Sequence, residues 1–96
     1  MTARAIVVDE RDTVATALAD LAAGDVLLLP IGDRERRVVL TAPIAFGHKL
    51  ALTAIAAGDP VVKYGEAIGR ATQAIAPGDH VHLQNLESLR GRGDLR

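Results

Sequence analysis

The sequence has no cysteine and no tryptophan among its 96 residues. The first absence excludes disulfides, thiolate catalysis, zinc–thiolate centres and iron–sulfur ligation by this chain. Only two aromatic residues occur, Phe46 and Tyr64, so the base-stacking platforms of nucleic-acid binders are missing. An excess of either charge is missing too. Eleven Lys and Arg face 12 Asp and Glu, a net charge of −1, and no basic stripe offers a phosphate backbone a surface to follow. No apolar run approaches the length that spans a bilayer, and the N-terminal run from Ala5 to Val8 is too short for the core of a signal peptide. These absences lead us to expect no nucleic-acid and no membrane partner, and a cytoplasmic protein.

What the chain does have is aliphatic. Apolar residues make up 49% of it, so its core must be built from Val, Ile, Leu and Ala. The length supports one small domain. A core of small side chains gives such a domain little stability, which invites a partner surface.

Ala5 to Val8 reads as a first strand. Asp12 or Thr13 is placed to cap a following helix, in which Val14, Leu18 and Leu21 recur at helical spacing and Gly24 supplies the end. Beyond Gly24 the pattern is of strands and turns. Val26 to Leu29 and Val38 to Leu40 are apolar runs separated by the charged stretch Gly32 to Arg37. Val61 to Tyr64 and Ala67 to Ala71 flank Gly65-Glu66, which suits a type II′ hairpin. From His80 to Gln84 polar and apolar residues alternate, with His80, His82 and Gln84 on one face and Val81 and Leu83 on the other. One phrase comes three times: D-L-A-A-G-D at 20–25, A-I-A-A-G-D at 54–59 and A-I-A-P-G-D at 74–79. An apolar anchor, a glycine free to take an unusual backbone angle and an aspartate that bonds locally make a corner that re-aims the chain. Pro60 and Pro77 suit strand starts or turns. Unequal spacing argues against a tandem repeat.

The run G-H-K-x-A-L-x-x-I-x-x-G-D-P-V-x-K-Y-G-E-x-I-G-x-A-T, from Gly47 to Thr72, continues as I-x-x-G-D-x-V-H-x-x-N to Asn85. With D-x-V-A-x-A-L at 12–18, it resembles the SAF domain of the altronate/galactarate dehydratase family. The resemblance covers about residues 5 to 88. It implies a mainly β chain with the β-clip fold and one short N-terminal helix, the SAF domain occupying 1–88 and residues 89–96 forming a flexible tail. It further implies the small subunit of a two-chain lyase, not active alone, acting by β-elimination on a sugar acid such as altronate. The alternatives are the small subunit of a (2R)-sulfolactate sulfo-lyase and a stand-alone SAF binding module. The partners implied are a large catalytic dehydratase-type subunit and a small hydroxy acid. The cofactor implied is Fe2+ or another divalent metal, held mainly by the large subunit. Two positions depart from the family pattern: Thr13 stands where Asn is frequent, and Gln84 where a second His is frequent.

Elimination needs a base at the α-carbon, an acid at the leaving group and clamps on the carboxylate. His48 is the candidate catalytic residue, since imidazole serves as acid, base or ligand near neutral pH. As strand neighbours, His48 and Lys49 would point to opposite faces. The candidates for substrate binding are Lys63, His82, Asn85, Lys49 and Tyr64, the lysines as cationic clamps and Tyr64 as a hydroxyl donor. His80 and His82, two apart on a strand, can reach one ion or anion. A polar solvent-facing strand side explains His80 equally well, and no metal ligand is assigned. Tyr64 serves as readily to cap the core. Glu66 and Arg70 read as solvated charges, and Gly32 to Arg37 as an exposed loop.

Overall fold

The computed structural model describes residues 4–88. The described residues hold nine strands and no helix. These are β1 (Ala5–Ile6), β2 (Val14–Ala17), β3 (Val26–Ile31), β4 (Arg34–Val39), β5 (Lys49–Ala51), β6 (Pro60–Lys63), β7 (Glu66–Ala71), β8 (His80–Val81) and β9 (Leu86–Ser88). Three antiparallel sheets result, in the orders β1-β2-β5-β8, β3-β4 and β6-β7-β9. The expected mainly β class is what is observed. The tail expected at 89–96 lies outside the described residues.

The helix expected after Asp12 is instead β2, an interior strand paired with β1 on one side and β5 on the other. Val14 packs into one core cluster, and Ala15 and Ala17 into the other. A strand covered on both faces loses the alternation that marks strands in sequence. Leu18, read as part of a helical stripe, is exposed. Asp12 and Thr13 do cap a structure, but that structure is a hairpin. The Asp12 carboxylate accepts from the N–H groups of Val8, Asp9 and Gly65, at 3.1, 3.2 and 2.8 Å. Thr13 Oγ1 accepts from Val62 N–H at 2.9 Å.

That β6-β7 hairpin turns one residue earlier than the sequence suggests. Lys63 pairs with Glu66, so the loop is Tyr64-Gly65, with φ of 55° and 79°. Two successive positive angles are the signature of a type I′ turn, not II′. The strand expected from His80 to Gln84 also stops early, after Val81. His82 to Asn85 form a turn closed by Asn85 N–H donating to the His82 carbonyl at 3.1 Å, and Leu83 is left 76% exposed.

The corners number four, one more than the repeated phrase announces. At 21–25, 44–48, 55–59 and 75–79 an apolar residue is buried, the fourth residue is a glycine at φ of 89°, 85°, 90° and 88°, and the fifth donates its N–H to the carbonyl three residues back. The anchors pair as isolated bridges, Leu21 with Ile44 and Ile55 with Ile75. The corner that the phrase hides is Ile44-Ala45-Phe46-Gly47-His48, where histidine stands in place of aspartate. Two apolar clusters fill the molecule. One is built on Leu27, Leu29, Leu40, Ile44 and Leu50, the other on Val14, Ile55, Val61, Ile75 and Val81. Burying aliphatic surface at about 25 cal/mol per Å² is the main stabilising contribution available to such a chain.

Candidate functional site

The three histidines of the sequence meet at β8, the edge strand of the four-stranded sheet. His48 arrives from the second corner, His80 lies on β8, and His82 lies in the turn that follows. His48 Nδ1 is 2.8 Å from His80 Nε2. The His48 ring stacks on that of His82 at 4.1 Å between centroids and 17° between planes, and on that of His80 at 5.1 Å and 16°. One ring nitrogen from each of the three lies within 4.8 Å of the others, and all three residues are half-buried. The backbone explains why they stay there. Asn85 Oδ1 accepts from His82 N–H at 3.0 Å, and Asn85 Nδ2 donates to the His80 carbonyl at 2.9 Å. Gln84 Nε2 lies 3.0 Å from His80 Nδ1, on the side of the ring away from His48.

Beside this cluster lies a cleft of about 690 Å³ lined in part by Lys49, Lys63, Tyr64, Glu66 and His82. Lys63 Nζ sits 4.8 Å from the centroid of the Tyr64 ring, a cation–π distance. The type I′ turn aims this pair into the cleft.

The electrostatics follow from the crowding of basic groups. Burial lowers the pKa of Lys49, and the Lys63 ammonium lowers it further. Burial also lowers His80, with repulsion from His48, His82 and Lys49 added to it. His82 is lowered by burial first, then by His48 and Lys49. Each shift favours the neutral base, the form that accepts a proton or lends a lone pair. A half-desolvated cleft that carries two lysines beside an imidazole cluster is suited to a small organic anion.

Of the residues singled out in the sequence, His48, Lys49, Lys63, Tyr64 and His82 come together here. His48 precedes β5 rather than lying on it, so the alternate-face rule does not separate it from Lys49. Asn85 is turned inward, 6% exposed, and both ends of its amide are engaged by backbone. His80 completes the stack, which decides between the two readings open for it, a shared site with His82 and a solvent-facing strand side. Its signal was in the sequence, in the H-x-H pair and in the apolar-x-x-Gly-x spacing that makes His48 the end of a fourth corner. Glu66 lines the cleft, while Arg70 pairs with Glu87 at 2.9 Å on the surface. The stretch from Gly32 to Arg37 is exposed as expected, but 34–37 is strand β4.

Known proteins carry the same unit. Over 77 residues the chain is 47% identical to the altronate dehydratase of Escherichia coli (strain K12), covering 80% of this chain and 15% of that relative. Over 88 residues it is 34% identical to the (2R)-sulfolactate sulfo-lyase subunit alpha of Chromohalobacter salexigens, covering 88% of this chain and 94% of that relative. It is 44% identical over 58 residues to the protein of the same name from Paracoccus pantotrophus, covering 60% of this chain and 87% of the relative. Residues 3–89 match the model of the altronate/galactarate dehydratase SAF domain, and to that family this chain belongs.

Proposed function

We propose that the chain is the small SAF-domain subunit of a two-chain lyase that removes water from a sugar acid such as altronate. The observation that carries this reading is the cluster of His48, His80 and His82, of which His82 also lines the cleft of Lys49, Lys63 and Tyr64. In the elimination the α-carbon loses its proton, the freed electron pair forms the carbon–carbon double bond, and the β-hydroxyl departs as water after protonation. The enol left behind becomes a 2-keto acid. Lys49 and Lys63 hold the substrate carboxylate by charge, and Tyr64 donates to it. His48, backed by its ring neighbours, acts on the reacting atoms as acid, base or ligand, and Asn85 positions the turn that carries His82. The catalytic remainder, including Fe2+ or another divalent metal, belongs to a large dehydratase-type chain docked over the cleft. Exposed Tyr64 and Leu83 are apolar residues of its lining.

Sulfolactate is the second reading. It is supported by the two relatives named as sulfo-lyase alpha subunits, of which the matches span 94% and 87%. There the carbon–sulfur bond breaks and sulfite leaves.

Affinity capture of the tagged chain, followed by assays of keto-acid release from altronate and sulfite release from sulfolactate, tests both. A captured dehydratase-type chain and turnover that is lost in His48→Ala are expected. Normal turnover in His48→Ala would sink the site assignment. Capture of the chain alone would leave a stand-alone binding module.

A further inference from the structure

From the geometry of the three imidazoles we infer that His48, His80 and His82 form a binding site for one divalent transition-metal ion on this chain itself. The inference sharpens the ligand role allowed to His48 above, but the site stands whether or not the lyase reading does. Two imidazole nitrogens that share an ion at about 2.0–2.1 Å lie roughly 2.8–3.4 Å apart for bond angles near 90–110°. His48 Nδ1 and His80 Nε2 are 2.8 Å apart, so a small rotation of either ring admits the ion. His82 brings a third nitrogen within 4.8 Å of both.

The ligands are held from behind, as metal-binding histidines ordinarily are. Gln84 sits at His80 Nδ1, the nitrogen facing away from the cluster. Gln84 Nε2 also donates to the His80 carbonyl at 3.3 Å, so an ion at Nε2 requires the amide to turn its oxygen to Nδ1–H and to give up that second contact. Asn85 fixes the backbone of His80 and His82, and the corner at Gly47 fixes His48. No carboxylate belongs to the cluster. A set of neutral imidazoles selects Zn2+, Co2+, Ni2+ or Fe2+ over Mg2+ and Ca2+, which prefer oxygen. Three protein ligands leave coordination positions open, the pattern of catalytic rather than structural sites. His82 also lines the cleft of Lys49 and Lys63, so an anion held there lies next to the ion.

The test is titration of the chelator-treated 96-residue chain with Co2+ and with Zn2+, followed by cobalt absorption in the visible and by calorimetry. One ion per chain is expected, with X-ray absorption reporting three imidazole ligands. His48→Ala, His80→Ala and His82→Ala are each expected to weaken binding more than about tenfold, since loss of even an outer partner costs 10–100-fold. Gln84→Ala is expected to weaken it about tenfold on the same ground. Far-ultraviolet circular dichroism of each variant shows whether the fold is kept. Where an alanine variant fails to fold, the ligand count in the wild-type chain decides. Binding that does not saturate at one ion, or that the three single variants leave unchanged, overturns the inference. An inactive assembly that still binds one ion to these histidines overturns the lyase reading alone. An active assembly whose histidines carry no ion overturns this inference alone.

Discussion

The corners ending at His48 and at Asp79 have the same backbone and put it to different uses. Both bury an isoleucine, both bend at a glycine with φ near 85–88°, and both close through an N–H to the carbonyl three residues back. Asp79 then commits its side chain to the fold: one carboxylate oxygen accepts from Ala76 N–H at 2.9 Å, the other from Thr41 Oγ1 at 2.5 Å. Asp25 is committed likewise, with one oxygen, Oδ2, accepting from both Ala22 N–H and Arg4. At the second corner the ring of His48 is released to stack on His80 and His82. A carboxylate from the bridged corner, Asp20, reaches across to Phe46 N–H at 2.9 Å. Among the described residues only Asp25 and Asp79 close their corners with a side chain, and the backbone geometry of the corners ending at His48 and Asp59 holds without one.

The largest effect that would break the comparison lies in the glycines. A Cβ at Gly78 would collide with the carbonyl oxygen of Val39, whereas a Cβ at Gly47 would meet nothing. Both residues sit at positive φ, and that strain costs about 1–3 kcal/mol with any side chain. Gly78→Ala should therefore lose the fold or most of its stability, and Gly47→Ala only the strain, as read by urea denaturation. Equal losses would mean that the packing around the two corners is alike. Next in size is Asn85→Ala, which leaves the half-buried His82 N–H without its side-chain acceptor and takes one of two amide donors from the His80 carbonyl, at about 1–3 kcal/mol. It should also uncouple the imidazole stack, visible as altered histidine ring signals by NMR. Asp79→Ala should cost a similar amount, about 1.5–3 kcal/mol for lost bonds to a charged group. His48→Asp exchanges the ring contacts of a half-buried residue for a carboxylate facing Ala45 N–H, so its net change in stability should be smaller than that of Asp79→Ala, while it abolishes whatever the histidines bind.

Much of this was legible in the sequence, and the failures have physical causes. The glycine of each repeated phrase announced its corner, because only a residue without Cβ adopts that angle cheaply. The fourth corner went unread because its last residue is histidine, and identity was used where spacing carried the information. β2 was read as a helix because alanine favours helices and a strand buried on both faces shows no alternation; tertiary pairing overrides propensity there. The hairpin register was missed by one because Tyr64 takes a positive φ that non-glycine residues usually avoid. Of the site, His48, Lys49, Lys63, Tyr64 and His82 could be nominated one at a time. The partnership of His48 with His80, 32 residues apart, is set by the pairing of β5 with β8, and pairing between strands distant in sequence is not written in local pattern.

The smallest effect is the sharpest probe of whether the corners are equivalent. Asp9 is lowered from 3.8 to about 2, by its bond from the Arg11 side chain first and from the Arg11 backbone next. Asp25 is lowered by Ala22 N–H first and then by Arg4. A carboxyl group whose pKa is depressed by folding stabilises the fold at pH above its unfolded value. That contribution is lost as pH falls through the folded value. The chain should therefore lose stability between about pH 4 and pH 2, in denaturation midpoints measured across that window, and Asp25→Asn should flatten the loss. The second corner adds nothing in this window, because no carboxylate ends it. His48→Asp puts one there, facing Ala45 N–H as Asp25 faces Ala22 N–H, so the acid loss of that variant should be steeper than that of the native chain. If the two curves superimpose, the second corner cannot hold a closing carboxylate. The histidine would then stand where no aspartate would have served, rather than in an aspartate's place.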